Sequence, residues 1–174
     1  MVCYAFAQNN TSFSLNYQHL NKTGKHGIGV GFKTPGWKNT LLLSDAAYFF
    51  KRYNGTFEDN NQNEYYSSYA SFNVNLAYNI SSNESFCLIP YAGLGLFYEN
   101  IDGYMSGKPT KYSGAYNVSI DDSLITLLAN IGIQMEYSVS EHLFINGGIK
   151  FQWDFYDGSY NNFPGITIGV GYRL

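Results

Sequence analysis

Little in this 174-residue chain is charged. Lys and Arg number 10 and Asp and Glu 13, or 13% of the sequence, about half the share usual in soluble domains. A fold with water on its whole outer surface would be short of charge. The net charge of −3, and the lack of any stretch that gathers Lys and Arg, exclude a nucleic-acid partner. Cysteine is scarce, with only Cys3 and Cys87. Long apolar runs are missing as well. The longest candidate, Cys87 to Tyr98, is interrupted by Pro90, Gly93 and Gly95, and falls short of the ~18 residues that would suggest a spanning helix. Only helices and closed barrels satisfy every backbone polar group within lipid, so if this chain crosses a membrane it does so with strands. No linker rich in Pro and Ser separates two differently composed halves, which predicts a single domain.

What the sequence does have is aromatic residues, with 17 Tyr and 13 Phe, and alternation. Period-two patterning bounded by turn residues runs from one end to the other, the mark of an all-β chain. It predicts eight strands: Thr11 to Leu20, His26 to Lys33, Thr40 to Tyr53, Tyr65 to Ile80, Phe86 to Asn100, Ser123 to Val139, Leu143 to Phe155, and Phe163 to Leu174. The connections after the odd strands hold most of the loop length, whereas those after the even strands (Thr34 to Asn39, Ser81 to Ser85, Ser140 to His142) are short. Such asymmetry fits an outer-membrane barrel, with short periplasmic turns and longer surface loops.

The two faces point the same way. In the seventh predicted strand Leu143, Ile145, Ile149, Phe151, Trp153 and Phe155 alternate with Asn146, Gly148, Lys150, Gln152 and Asp154. The polar set is mostly Asn, Ser, Gln and Gly, which suits a crowded lumen better than a water-facing surface. Aromatic residues fall near both strand ends, with Tyr17, Tyr48, Tyr66 and Tyr98 towards the long loops and Phe32, Tyr78, Tyr137 and Tyr172 towards the short turns. Paired girdles of this kind mark the two membrane interfaces. The inward charges on this assignment are Lys33, Asp45, Lys51, Glu99, Glu136, Lys150, Asp154 and Arg173, four of each sign. They predict a salt-bridged interior, and an eight-stranded barrel is only wide enough for side chains, so no open pore is expected.

Near the start, Ala5-Phe6-Ala7 before Gln8 reads as the small-x-small site of a secretory leader. The expectation is a leader remnant over residues 1–7 and a barrel domain over 8–174.

Three segments carry a family resemblance: Gly169 to Arg173 (GVGYR), Tyr91 to Glu99 (YAGLGLFYE) and Glu64 to Ser81 (EYYSSYASFNVNLAYNIS). With the strands so placed, the chain resembles the OmpA/OmpX-like family of small outer-membrane barrels. The resemblance implies an eight-stranded antiparallel up-and-down transmembrane barrel in the outer membrane of a Gram-negative-type bacterium. In that family the last residue is usually Phe; here it is Leu174.

The functional expectation is a structural or adhesive role through surface loops, with membrane lipids as surroundings, a protein or host-surface partner, and a monomeric state. Ile101 to Asp122 is the candidate interaction segment, with Tyr104, Tyr112 and Tyr116 among Gly, Ser and Asn, and Asp121 and Asp122 at its end. That composition suits adaptable contact. Alternation in Ala115 to Ile120 also permits a protruding hairpin whose edge recruits a partner by strand addition. The other reading is a solvated loop.

Two alternatives remain. Some small outer-membrane barrels modify lipid A with a His, a Ser and an acidic partner, and His19 and His26 flank the first loop at the rim that also carries Ser68, Ser106, Asp102 and Asp122. Nothing in the spacing selects such a triad, so no catalytic residue is expected. A soluble ligand-binding barrel is the other. No cofactor is expected, and no metal either, since no two histidines stand at a close i, i+2 spacing and Asp121-Asp122 lacks a calcium-loop frame.

Overall fold

The structure is a computed structural model that describes residues 10–21, 23–58, 61–81, 85–107, 116–155 and 162–174. The leader expectation for residues 1–7, and Tyr112, lie outside them. The described residues contain only strands and turns. The strands are β1 (Ser12–Leu20), β2 (Lys25–Pro35), β3 (Thr40–Glu58), β4 (Asn61–Tyr78), β5 (Ile80–Ser81), β6 (Phe86–Gly107), β7 (Tyr116–Ser138), β8 (Leu143–Asp154) and β9 (Asn162–Arg173). The two-residue β5 continues β4 past Asn79, and both pair with β6. The staves of the wall therefore number eight.

Every pairing is antiparallel, and the last strand returns to the first from Ser12↔Arg173 to Leu20↔Gly165. The sheet is thus a closed all-β barrel with no membrane-facing edge, as lipid requires. The lipid-facing surface is built by the alternation. Leu15, Val30, Leu76, Leu94, Leu127, Ile131, Ile149 and Val170 all point outward and are exposed. The residues beside them in sequence, among them Asn16, Asn75, Asn130 and Lys150, are buried inside.

The inside is more layered than the polar lumen expected from alternation. Leu41, Leu43, Ala77, Cys87 and Ile89 form one apolar cluster towards the short turns. Leu20, Ala47, Phe49, Tyr69, Phe97 and Leu128 form another towards the long loops. Hydrogen-bonded amides and charges lie between them. In β3 both faces are apolar over Leu41 to Leu43 and again over Ala46 to Phe50, and alternation cannot register a core that is apolar where the wall is also apolar.

Small residues let the wall come this close to its contents. A Cβ at Gly171 would collide with Cζ of Phe144. That ring in turn carries Lys33 and Arg173 over its face, at 5.3 and 4.8 Å from its centroid.

The strands end differently at the two rims. At the short-turn rim β2 passes to β3 through a turn in which Lys38 adopts φ 58°, closed by Gly36 N donating to Thr40 O. At the other rim four staves run on. β3, β4, β6 and β7 have 19, 18, 22 and 23 residues, against 9, 11, 12 and 12 in β1, β2, β8 and β9. The expected ends at Tyr53 and Asn100 came too early, and the expected starts at Tyr65 and Ser123 too late. Stretches of the added length such as Asn61 to Glu64 are polar at every position, so alternation has nothing to report there.

Candidate functional site

The four long staves are consecutive in the wall and form a sheet that stands above the rest of the barrel. The β6 and β7 ladder continues without a register break from Phe86↔Tyr137 to Gly107↔Tyr116. From Tyr98 to Gly107 it climbs nine residues, roughly 30 Å along the strand at about 3.3 Å per residue. The segment expected as a loop from Ile101 to Asp122 is therefore largely a hairpin. Tyr104 and Tyr116 lie in its strands, and Asp121 and Asp122 are exposed in β7. Asp121 sits opposite Asp102, and Asp122 accepts a hydrogen bond from Ser123 N at 2.8 Å.

The ladders that flank this raised sheet, among the described residues, stop below its top. Among the described residues, β2 and β3 stop pairing at Gly27↔Phe49, and β7 and β8 at Leu128↔Asp154. One further bond runs from Phe155 N to Leu127 O. Residues of one parity in a strand direct N–H and C=O to the same neighbour, so Leu127 marks the odd residues of β7 as those facing the free side. Ser119, Asp121, Ser123 and Ile125 belong to that set.

Within the lumen the charges gather in two groups. Towards the short-turn rim, Lys33 Nζ lies 2.5 Å from Glu136 Oε2, and Arg173 Nη2 lies 3.7 Å from the same oxygen. Gln134 donates to the other Glu136 oxygen at 2.9 Å, and Arg173 donates to Ser138 Oγ at 3.0 Å. At mid-height Asp45 Oδ1 receives Lys150 at 3.1 Å and Asn73 at 2.9 Å. Asn73 Oδ1 in turn receives Asn130 and Gln152 at 2.9 and 3.3 Å. These chains cross from β3 to β8 through β4 and β7. Between the groups lies a cavity of about 50 Å³ bordered by Asn16, Asn75, Asn146 and Lys150. It has room for a few waters, the ordinary partners of buried amides.

Near the outer rim Asp154 is buried and Glu99 is half-buried beside Tyr69. Lys51 departs from the expected set. A register shift between Phe49 and Arg52 puts Phe50 and Lys51 opposite Ser68 alone. Such a bulge reverses the inward and outward parity of the residues beyond it. Lys51 therefore lies exposed at the rim, 2.6 Å from Asp102 and over the Tyr66 ring, and it is not part of the lumen network. Lys25, which sequence reading left in the first turn, enters the lumen in its stead. It is 1% exposed, donates to Ser67 Oγ at 2.7 Å and to Ser67 O, and lies 3.8 Å from the Tyr69 ring centroid.

The residues of the conceivable triad are set apart. His19 and His26 stand on β1 and β2, whereas Ser68 and Asp102 belong to β4 and β6, with β3 between them. The histidines meet each other instead, directly opposite across the β1 and β2 ladder. His142 lies at the other rim, with Nδ1 3.2 Å from Arg173 O.

A family model described as Autotransporter beta-domain matches residues 1–171. Among curated proteins none matches the chain. Among solved structures the fold is similar to that of Ail, the attachment invasion locus protein of Yersinia pestis, at 13% identity and TM-score 0.55, covering 95% of this chain and 97% of that one. It is similar also to the N-terminal β-barrel domain of Pseudomonas aeruginosa OprF, at 15% identity and TM-score 0.55 over 96% and 98% of the two chains. A major outer membrane protein of Thermus thermophilus superposes at 11% identity and TM-score 0.59, over 94% and 99%. The fold is that of the small outer-membrane barrels.

Proposed function

We propose that this chain, which belongs to the autotransporter beta-domain family and is built as an outer-membrane barrel, is a non-enzymatic monomeric surface protein that works by contact. Its raised sheet offers a strand edge to an extended segment of a protein on another surface. The observation that carries this reading is the side of β7 beyond Leu127, which among the described residues has no ladder partner. An unpaired edge is a template for an added strand. In most proteins it is hidden because it invites association; here four staves lengthen together and lift it clear of the membrane. The likeness to a protein named for attachment and invasion agrees with this reading.

The lumen has a different part. We infer that its hydrogen bonds, ion pairs and two apolar clusters brace the wall, so that the barrel passes neither ions nor polypeptide and serves as a rigid pedestal.

The test is attachment to cultured host-cell monolayers of bacteria that display the chain. Ser119→Pro and Asp121→Pro each remove one N–H from the free side of β7 while leaving the bonds to β6, since edge positions tolerate proline. Attachment should rise when the chain is displayed and fall back in the double variant, whose unheated gel mobility should stay that of a folded barrel. Equal attachment with and without the displayed chain, or undiminished attachment of the proline variant, would refute the reading.

A further inference from the structure

On the low side of the barrel, away from the raised sheet, three heteroatoms converge without an evident structural reason. His19 and His26 face each other across β1 and β2, with ring centroids 4.5 Å apart and Nδ1 atoms 3.3 Å apart. The Tyr17 hydroxyl reaches the same Nδ1 of His26, and the Tyr17 ring stacks beside that imidazole. A neutral imidazole nitrogen that accepts has a single lone pair. Here both the phenol and the neighbouring imidazole compete for the one on His26.

We propose that His19 and His26, with Tyr17 beside them, are a binding site for one divalent transition-metal ion at the outer rim of the barrel. Metal-to-imidazole bonds of about 2.0–2.1 Å at a tetrahedral angle put two ligand nitrogens about 3.3–3.4 Å apart, the spacing found here. A cation between the two nitrogens uses both lone pairs at once, with the remaining ring nitrogens as the protonated ones. Of the described cations by this hairpin, Lys25 turns inward to Ser67, and Arg52 donates to the carbonyl of Thr23, at 2.6 Å.

The donor set defines the class of ion. Imidazole suits copper, zinc and nickel, with copper(II) the strongest in the usual order, and does not suit magnesium or calcium. Among the described residues no three His, Cys, Asp or Glu side chains form a cage. The ion thus keeps open positions for water, the Tyr17 oxygen or another oxygen ligand. Its protein ligands come from both strands of one hairpin, so the ion would also pin the β1 and β2 turn. This inference is independent of the adhesive role and stands or falls without it.

The experiment is calorimetric titration of the full chain, carrying no polyhistidine tag and refolded in detergent micelles, with zinc chloride and then copper chloride. One ion should bind per chain. Affinity should fall roughly 10-fold or more in His19→Ala and in His26→Ala, and stay unchanged in His142→Ala, which alters the one remaining histidine. His19→Gln and His26→Gln serve if an alanine variant loses the unheated gel mobility of the folded barrel. Copper electron paramagnetic resonance should report two equatorial nitrogens in the parent and one in either variant. No uptake at about 1 mM free zinc or copper, magnesium binding as well as zinc, or binding that survives loss of both His19 and His26 would overturn the proposal.

Discussion

The two halves of the wall differ in height and in how they are written in sequence. The low half, β8, β9, β1 and β2, ends near the outer aromatic belt, and each strand alternates over most of its length, as in Ile166, Ile168, Val170 and Tyr172 against Thr167, Gly169, Gly171 and Arg173. The tall half, β3, β4, β6 and β7, alternates only over its lower part. Hydrocarbon on one side and a packed lumen on the other enforce a period of two. Where water meets both faces, that pressure ends while the backbone ladder persists. Sidedness and strand length are thus separate instructions, and the tall half keeps the second after losing the first.

The largest expected effect lies in the lumen, at the foot of both halves. Glu136 on β7 holds Lys33 and Arg173 from the low half, and it is 2% exposed. Glu136→Ala leaves two buried cations without their anion, a loss of about 3–5 kcal/mol. It should lower the urea midpoint of the detergent-refolded barrel markedly. Replacing Lys33 and Glu136 together by Met should cost less than Glu136→Ala alone, because one of the stranded charges goes with it. If the single variant unfolds with the parent, the two halves are not braced through this group.

A smaller effect separates the two environments along one strand. Ile131 and Asp121 share a face of β7 ten residues apart, Ile131 at mid-height of the exposed apolar band and Asp121 on the raised sheet. Ile131→Arg should destabilise by about 2–4 kcal/mol, the penalty of a cation near the bilayer midplane. Asp121→Arg should leave the midpoint within about 0.5 kcal/mol of the parent. The measurement is unfolding in lipid vesicles, where detergent cannot adapt to the charge. Equal effects would mean that the membrane boundary on β7 lies elsewhere.

These contrasts also explain what was legible in advance. The eight staves follow from alternation that a membrane makes obligatory and the outward face from the uncharged make-up of the polar set, so Ile145, Ile149 and Phe151 were assigned in advance. The full height of β4 was not, because residues such as Asn61 to Glu64 carry no face preference. The inner apolar clusters escaped for the opposite reason: around Leu41, Leu42 and Leu43 both faces are apolar. The pairing of His19 with His26 was hidden by the hairpin. Two residues seven apart have no fixed relation until the turn sets the register, and that turn, with Gly24 at φ 59°, is what places them opposite each other. Lys25 was set aside with the turn although its side chain reaches Ser67.

The smallest effect is expected where the comparison turns on a single inserted residue. The bulge at Phe50 and Lys51 is where β3 leaves its partner β2, whose pairing ends at Gly27↔Phe49. It sends Arg52 towards Thr23 and Lys51 out to Asp102. Half the Lys51 side chain and more than half that of Asp102 stay exposed, and an ion pair so wetted contributes little beyond its entropic cost. Lys51→Ala should leave the urea midpoint indistinguishable from the parent at about 0.15 M salt, a concentration that screens exposed charges. Deleting Phe50 instead would remove the bulge and set Lys51 directly after the inward Phe49, in the outward place opposite Ser68 that Phe50 had held. That variant exchanges an exposed aromatic residue for a lysine near the membrane interface and should cost about 0–1 kcal/mol, less than Ile131→Arg. If Lys51→Ala proves costly, or the deletion costs as much as Ile131→Arg, the bulge is not what divides the low wall from the tall one.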